Sequence, residues 1–343
     1  MKKFISVLLA ISVIAGCLFT YAYADSEYPV KRENLRIRDP FVLVYEGKYY
    51  MYGTCLSNGE GYGCCVSEDL ENWTKPIQVY TPHKSFDGCG DYWAPECHYY
   101  NGSFYLFATY KSEASGKRGV GIFRSDSPLG PFNLISNGHI TPKEIDCIDG
   151  TLYVDEDGQP WMVYVNEWTS QPDENGEMAA AKLSKDLSSF TSEPVVLFRS
   201  NKHVWTKGNV TDGCFMYRTN KGRLIMLWSN FARSGGYSVG IAVSDNGKVD
   251  GNWLHAPTAF YCESQNEVEG GHPMLFETLD GQFMMAIHSP NTGIDEIFET
   301  AKFIPVEDTG SSIIMKDDTF GEIKNTFLNL YCIIISLCIH IFT

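Results

Sequence analysis

Five short hairpins of one kind recur along this chain, and their spacing limits what it can fold into more than any other feature. Residues 41–45 turn at Glu46-Gly47 and return as 49–52, and residues 98–100 turn at Asn101-Gly102 and return as 104–108. Residues 151–154 turn at Asp157-Gly158 into 161–165, 214–217 at Asn220-Lys221-Gly222 into 224–228, and 274–276 at Asp280-Gly281 into 283–287. Asn-Gly or Asp-Gly between aromatic and β-branched runs signals a hairpin, because a type I′ turn needs positive φ at both central residues. The turn glycines stand at 47, 102, 158, 222 and 281, which makes the repeats 55, 56, 64 and 59 residues long. One sheet per repeat of that length predicts an all-β chain folded as a five-bladed β-propeller. A β-sandwich of aromatic hairpins is the competing arrangement.

A second segment recurs after each of the first four hairpins. Residues 64–67, 121–125, 181–184 and 240–244 read as short strands ending in Ser/Lys-Asp turns, each followed by an aromatic on the next edge strand: Trp73, Phe132, Phe190 and Trp253. Four-stranded blades follow from this pattern. The fifth repeat matches less well over 298–306, and the N-terminal segment is expected to complete that blade and protect its edge. The folded unit is expected over residues 25–312, with a leader at 1–24 and an extension at 313–343.

Met1-Lys2-Lys3 followed by apolar residues 4–16 has the form of a secretory signal. Ala22-Tyr23-Ala24 is the favoured cleavage site; Ile14-Ala15-Gly16-Cys17 is the alternative, a lipobox that would place a lipid on Cys17. Either exit predicts a secreted, periplasmic or cell-surface protein. The apolar tail at 327–343 is 17 residues, short against the roughly 20 that a spanning helix needs. It reads either as a tail anchor or as an extension outside the fold. A membrane partner is expected only through that tail or a lipid on Cys17. The formal charge of −15 argues against nucleic acid and anionic surfaces, and a neutral substrate suits it better. A monomer is expected. Outside the leader and the tail lie eight cysteines, whose spacing does not resemble a zinc site and whose disulfide pairing cannot be read from the sequence.

In a propeller the innermost strand of each blade runs along the axis, so residues near its start converge at one end. Asp39, Glu96, Asp149, Asp212 and Glu269 with His272 occupy such places. Acidic residues gathered in one funnel repel one another unless they are protonated, metal-bound or functional.

The motifs Arg38-Asp39-Pro40, Trp93-Ala94-Pro95-Glu96, Ile148-Asp149-Gly150, Thr211-Asp212-Gly213 and Gly270-Gly271-His272, in this order and at blade spacing, resemble glycoside hydrolase family 43. The resemblance covers roughly residues 36–306. It implies a five-bladed propeller that hydrolyses arabinofuranosides, xylosides and related sugars in a single displacement with inversion. A carboxylate base and a carboxylic acid would stand about 6.5–9.5 Å apart across the sugar. Carried over by motif, Asp39 would be the base and Asp149 the residue that raises the acid's pKa and orients it. The fourth-blade acid is usually Glu, and Asp212 takes that place with one methylene fewer. Glu269 and Glu96 are rival acids, although the resemblance places Glu96 and Trp93 in the sugar subsite. It also implies that His272 lies near an axial structural Ca²⁺, through water; no cofactor is required. Two alternatives stay open: a catalytically impaired carbohydrate-binding propeller, and a fructan-active or phosphorylase relative. The first is motivated by the shortened acid; the usual Asn-Asp-Pro of the fructan-active relatives is absent.

Overall fold

The computed structural model describes residues 30–266, 268–291 and 298–316. Five antiparallel sheets stand around a common axis. Each opens on an axial strand: Arg38–Tyr45, Trp93–Tyr100, Cys147–Val154, Asp212–Arg218 and Gly271–Glu277. The second strands return as Lys48–Thr54, Ser103–Lys111, Pro160–Asn166, Leu224–Phe231 and Phe283–Ser289. Every axial strand packs on those of both neighbouring blades, the fifth on the first, so the circle closes as the repeat spacing predicts. Among the described residues, α-helix is confined to the single turn Glu263–Asn266.

The turns divide into two kinds. Glu46-Gly47 (φ 46° and 74°) and Asn101-Gly102 (47° and 82°) have positive φ at both central residues, as a type I′ turn requires. The other three have it at the glycine alone. There the glycine N–H returns to the carbonyl three residues back, as Gly158 does to Asp155 (2.9 Å) and Gly222 to Thr219 (2.8 Å). The expectation of two positive φ values thus holds for two turns; the longer three relax it by adding residues.

The outer strands correct the sequence reading in three places. In blade three the edge strand is Val195–Arg199, while Phe190 makes one isolated bridge to Leu183 and stacks on Tyr164. Blade five is complete within itself. Thr300–Asp308 turns through Gly310 (φ 85°) and Ile313–Met315 pairs back on Val306, Glu307 and Asp308. That strand lies beyond the expected boundary at 312. The N-terminal Val30–Lys31 pairs with Asn72 and Trp73 and so covers the outer edge of blade one, not blade five. The leader at 1–24 and the apolar tail lie outside the described residues.

The core sits between blades. Phe107 and Ile122 of blade two pack with Met162 and Tyr164 of blade three, and Trp161 and Val163 with Met226 and Trp228 of blade four. Leu227 and Ile241 pack with Met285 and Ile287 of blade five. Each such side chain contributes about 1.5–3 kcal/mol by leaving water, so stability depends on the blades meeting. The first and fifth are also joined by polar contacts, with Ile37 N–H donating to the Glu299 carbonyl (2.9 Å) and Leu279 N–H to the Tyr49 hydroxyl (2.7 Å). All eight cysteines among the described residues are free thiols, and the six buried ones fill space as small hydrophobes.

Candidate active site

Each axial strand carries a β-bulge near its start, where the register slips between Arg38 and Phe41, Trp93 and Glu96, Ile148 and Thr151, Asp212 and Phe215, and Gly271 and Met274. The residue inside each bulge has positive φ: Asp39 (54°), Ala94 (42°), Asp149 (55°), Gly213 (46°) and His272 (56°). That conformation costs a non-glycine residue about 1–3 kcal/mol, and Asp and His are among the types that tolerate it best. Proline follows the bulged residue in three blades, at Pro40, Pro95 and Pro273. A central strand accepts proline at a bulge, where the ladder is already interrupted.

The bulged N–H groups are satisfied from the preceding blade. Asp39 donates to Nδ1 of His288 (3.2 Å), Ala94 to the Thr54 hydroxyl (2.8 Å), Asp149 to the Thr109 hydroxyl (3.1 Å) and His272 to the Ser229 hydroxyl (2.9 Å). In blade three the equivalent place is Val165, which has no side-chain acceptor. The Gly213 N–H goes instead to Oδ2 of Asp149 (3.1 Å). One oxygen of Asp149 is therefore fixed by the same ring of hydrogen bonds that holds the blades in register.

Gly213 tests that ring. A Cβ there would lie 2.7 Å from the Cα and Cγ of His272, on a backbone with φ 46°. Gly213→Ala is expected to displace His272 and cut activity at least about 100-fold, since a shift of about 1 Å costs that much. Parallel assays and thermal melts check it, and a variant with unchanged turnover would refute it.

The bulges bring Asp39, Asp149, Asp212 and His272 together. Nδ1 of His272 stands 3.1 Å from Oδ1 of Asp39 and 3.8 Å from Oδ2 of Asp149. Thr54 donates to Oδ2 of Asp39 (2.6 Å), and the Tyr237 hydroxyl to Oδ2 of Asp212 (3.0 Å). Burial works against the charge on Asp39, but the attraction and hydrogen bond of His272 overcome it and hold its carboxyl well below the ordinary range. Burial likewise disfavours charge on His272, yet Asp39 and Asp149 raise it to about 10, so the imidazolium persists at neutral pH. For Asp212, burial and then the repulsion of Asp149 act in one direction and push it well above the ordinary value. Burial also raises Asp149. Two such neighbours cannot both ionise. The proton belongs on Asp212, because Asp149 has the Gly213 N–H and lies nearer His272.

Three of the five expected acidic residues converge and two do not. Glu96 lies two residues beyond its bulge, buried against Nε2 of His98 (3.0 Å). Glu269 lies before its bulge, where Oε2 accepts the Tyr237 N–H (2.8 Å), so this rival acid serves the backbone. Trp93 occupies the same bulge position as Arg38 and Asp212. Its indole is half-buried, with the Arg118 guanidinium 5.2 Å from the ring centre and Glu167 fixing that guanidinium at 2.7 Å.

Sequence reasoning missed Tyr237, Thr54 and His288, and gave Arg38 no role of its own. Arg38 donates to Glu299 (2.9 Å) and Asn291 (3.0 Å). Nδ1 of His288 lies 3.2 Å from the Asp39 N and 3.3 Å from its Oδ1, and Nε2 faces Oδ1 of Asn291 at 3.4 Å. Thr54, Thr109, Ser229 and His288 did have a signal: each is a polar residue seven places after a turn glycine.

The expected axial Ca²⁺ would want six to eight oxygen ligands. No three His, Cys, Asp or Glu side chains among the described residues are placed to hold a cation together, and His272 already meets Asp39. Among the described residues these side chains do not by themselves form a calcium cage, and an ion on the axis would take most of its oxygen ligands from water.

The fold has counterparts among known proteins. The crystal structure of an endo-arabinase from Bacteroides thetaiotaomicron VPI-5482 is 37% identical, with a TM-score of 0.74 over 82% of this chain and 97% of that one. An extracellular endo-alpha-(1->5)-L-arabinanase from Bacillus subtilis (strain 168) is 25% identical over 53% of this chain and 59% of its own length. An extracellular exo-alpha-(1->5)-L-arabinofuranosidase from Cellvibrio japonicus (strain Ueda107) is 28% identical over 44% and 45% respectively. The chain thus spans about half the length of these two relatives. The model of glycosyl hydrolases family 43 matches residues 29–303, nearly the whole circle of blades, and the chain belongs to that family.

Proposed function

We propose that the chain is an exported glycoside hydrolase that cleaves arabinofuranosyl, xylosyl or related linkages with inversion, and that α-1,5-linked arabinan is its substrate. The observation that carries this reading is the cluster itself, in which Nδ1 of His272 lies 3.1 Å from Asp39 and 3.8 Å from Asp149 while Tyr237 donates to Asp212 at 3.0 Å, an arrangement that favours charge on Asp39 and a proton on Asp212. Pairs of titratable groups pushed apart in this way mark acid and base roles. Asp39 takes a proton from the water that attacks the anomeric carbon, and Asp212 gives one to the departing oxygen. Asp149 keeps Asp212 protonated, and the His272 imidazolium keeps Asp39 charged. The arabinan specificity and the export rest on the named relatives, two of them extracellular, and on the leader-like segment at 1–24.

Linear α-1,5-arabinan is expected to release reducing sugar, with the β-anomer appearing first in the proton NMR spectrum. First appearance of the α-anomer would overturn the inverting assignment. One observation favours the second reading, a carbohydrate-binding propeller: the acid position holds Asp in place of the usual Glu. If arabinan, xylan and galactofuranoside panels all stay intact while Asp212→Glu confers hydrolysis, that reading prevails.

A further inference from the structure

We propose that Tyr237 positions the general acid, its hydroxyl fixing the carboxyl of Asp212 and stabilising the charge that grows there as the proton leaves. This inference rests on the hydrolase reading above and extends it to a residue of the third strand of blade four.

Tyr237 opens the strand Tyr237–Ser244 and is 2% exposed. Three contacts pin it. Its N–H donates to Oε2 of Glu269 (2.8 Å), its ring stacks on His288 at 5.5 Å and 17°, and its hydroxyl donates to Oδ2 of Asp212 (3.0 Å). Gly271 makes room for the ring, since a Cβ there would lie 2.3 Å from its Cε1. Glu269, the rival acid of the sequence reading, therefore contributes by anchoring the phenol.

The short acid needs such a partner. The terminal torsion of an Asp side chain is broad, so a carboxyl on one methylene has no intrinsic reason to present a particular oxygen to substrate. With Oδ2 accepting from the phenol, the acidic proton belongs to the other oxygen. In the reaction that O–H bond breaks as an O–H bond forms to the leaving oxygen, which also receives the electron pair of the cleaved glycosidic bond. Asp212 then becomes a carboxylate, and its hydrogen bond from Tyr237 becomes charge-assisted. The contact is thus stronger in the transition state than before it. The phenol keeps its own proton throughout; burial and then the nearby aspartates hold its pKa well above the ordinary value.

Tyr237→Phe deletes one hydroxyl and keeps the stacked ring. Its kcat on arabino-oligosaccharides is expected to fall about 10- to 100-fold, the size of losing one hydrogen bond to a developing charge, with KM little changed. Turnover of 2,4-dinitrophenyl α-L-arabinofuranoside, whose leaving group needs no proton, should change by less than about twofold. The alkaline limb of the pH profile should move upward, because the lost hydrogen bond favoured ionised Asp212; Asp149, His272, Asp39 and Arg38 remain around it. In an Asp212→Asn background the same substitution should cost nothing further. Equal losses on both substrates, or a further loss in that background, would overturn the inference while leaving the hydrolase reading intact. An unmutated chain inert on every substrate would overturn both.

Discussion

Asp39→Asn is expected to lower turnover of arabinan by about 10²- to 10⁴-fold, the usual contribution of a positioned general base. The substitution keeps the size of the side chain and can keep the Thr54 contact, so its main effect is to remove a charge. That charge has two duties. It accepts the proton of the attacking water, and it is the first of the attractions that raise His272 to about 10. An uncharged residue 39 leaves Asp149 as the principal carboxylate beside His272, and the imidazolium becomes easier to deprotonate. The loss should be equally large on the dinitrophenyl and the unactivated substrates, because the water needs a base whatever the leaving group. This separates Asp39 from Asp212 and Tyr237, whose effects scale with the demand for a proton. Kinetics on both substrates check it, and a variant keeping more than about a tenth of the activity would remove Asp39 from the base's role.

The circle of blades was readable because the turn glycines recur and every repeat has apolar runs of strand length between them. The site was readable for a reason that proved only partly right. The acidic residues were expected at equivalent points of five blades, yet Asp39 and Asp149 sit inside their bulges, Asp212 one place earlier, and Glu96 two places later. Repeats of unequal length hide offsets of one or two residues, and in a strand such an offset ordinarily turns a side chain to the opposite face. The bulge lets neighbouring positions share the pocket, and nothing in the residue types before Asp39 or Asp149 announces a bulge. Tyr237 was beyond reach for another cause. It comes from a third strand, and it meets the cluster only because Gly271 of the next blade leaves space for its ring. The edge of blade five was missed because the reversal at Asp308-Thr309-Gly310 is a short turn after a long strand.

Asp212→Asn is expected to abolish most hydrolysis of unactivated substrate, again by about 10²- to 10⁴-fold, and at the same time to make the protein more stable at neutral and alkaline pH. The sign follows from linkage. Asp212 has a folded-state pKa raised above its unfolded one, so its contribution is fully present below about 3.8 and is lost as pH rises through the folded value. At pH 8 the unfolded chain gains the solvation of an ionised Asp212, while the folded site must either bind a proton that the unfolded chain has already released or hold a second negative charge beside Asp149. Asparagine cannot ionise in either state, has nearly the same shape, and can still accept from the Tyr237 hydroxyl through its carbonyl oxygen. The melting temperatures of the two proteins should therefore coincide near pH 4 and diverge in the variant's favour towards pH 8, by roughly 2–4 °C for each kcal/mol relieved. His272, whose folded pKa is likewise raised, titrates in the same sense, its stabilisation full below 6.5 and lost towards about 10, but it is present in both proteins and largely cancels in the comparison. Thermal melts at the two pH values, read beside the kinetics, decide the matter. A variant that is inactive and also less stable at pH 8 would mean that Asp212 is an ordinary structural carboxylate, and that proton donation has to be sought elsewhere in the pocket.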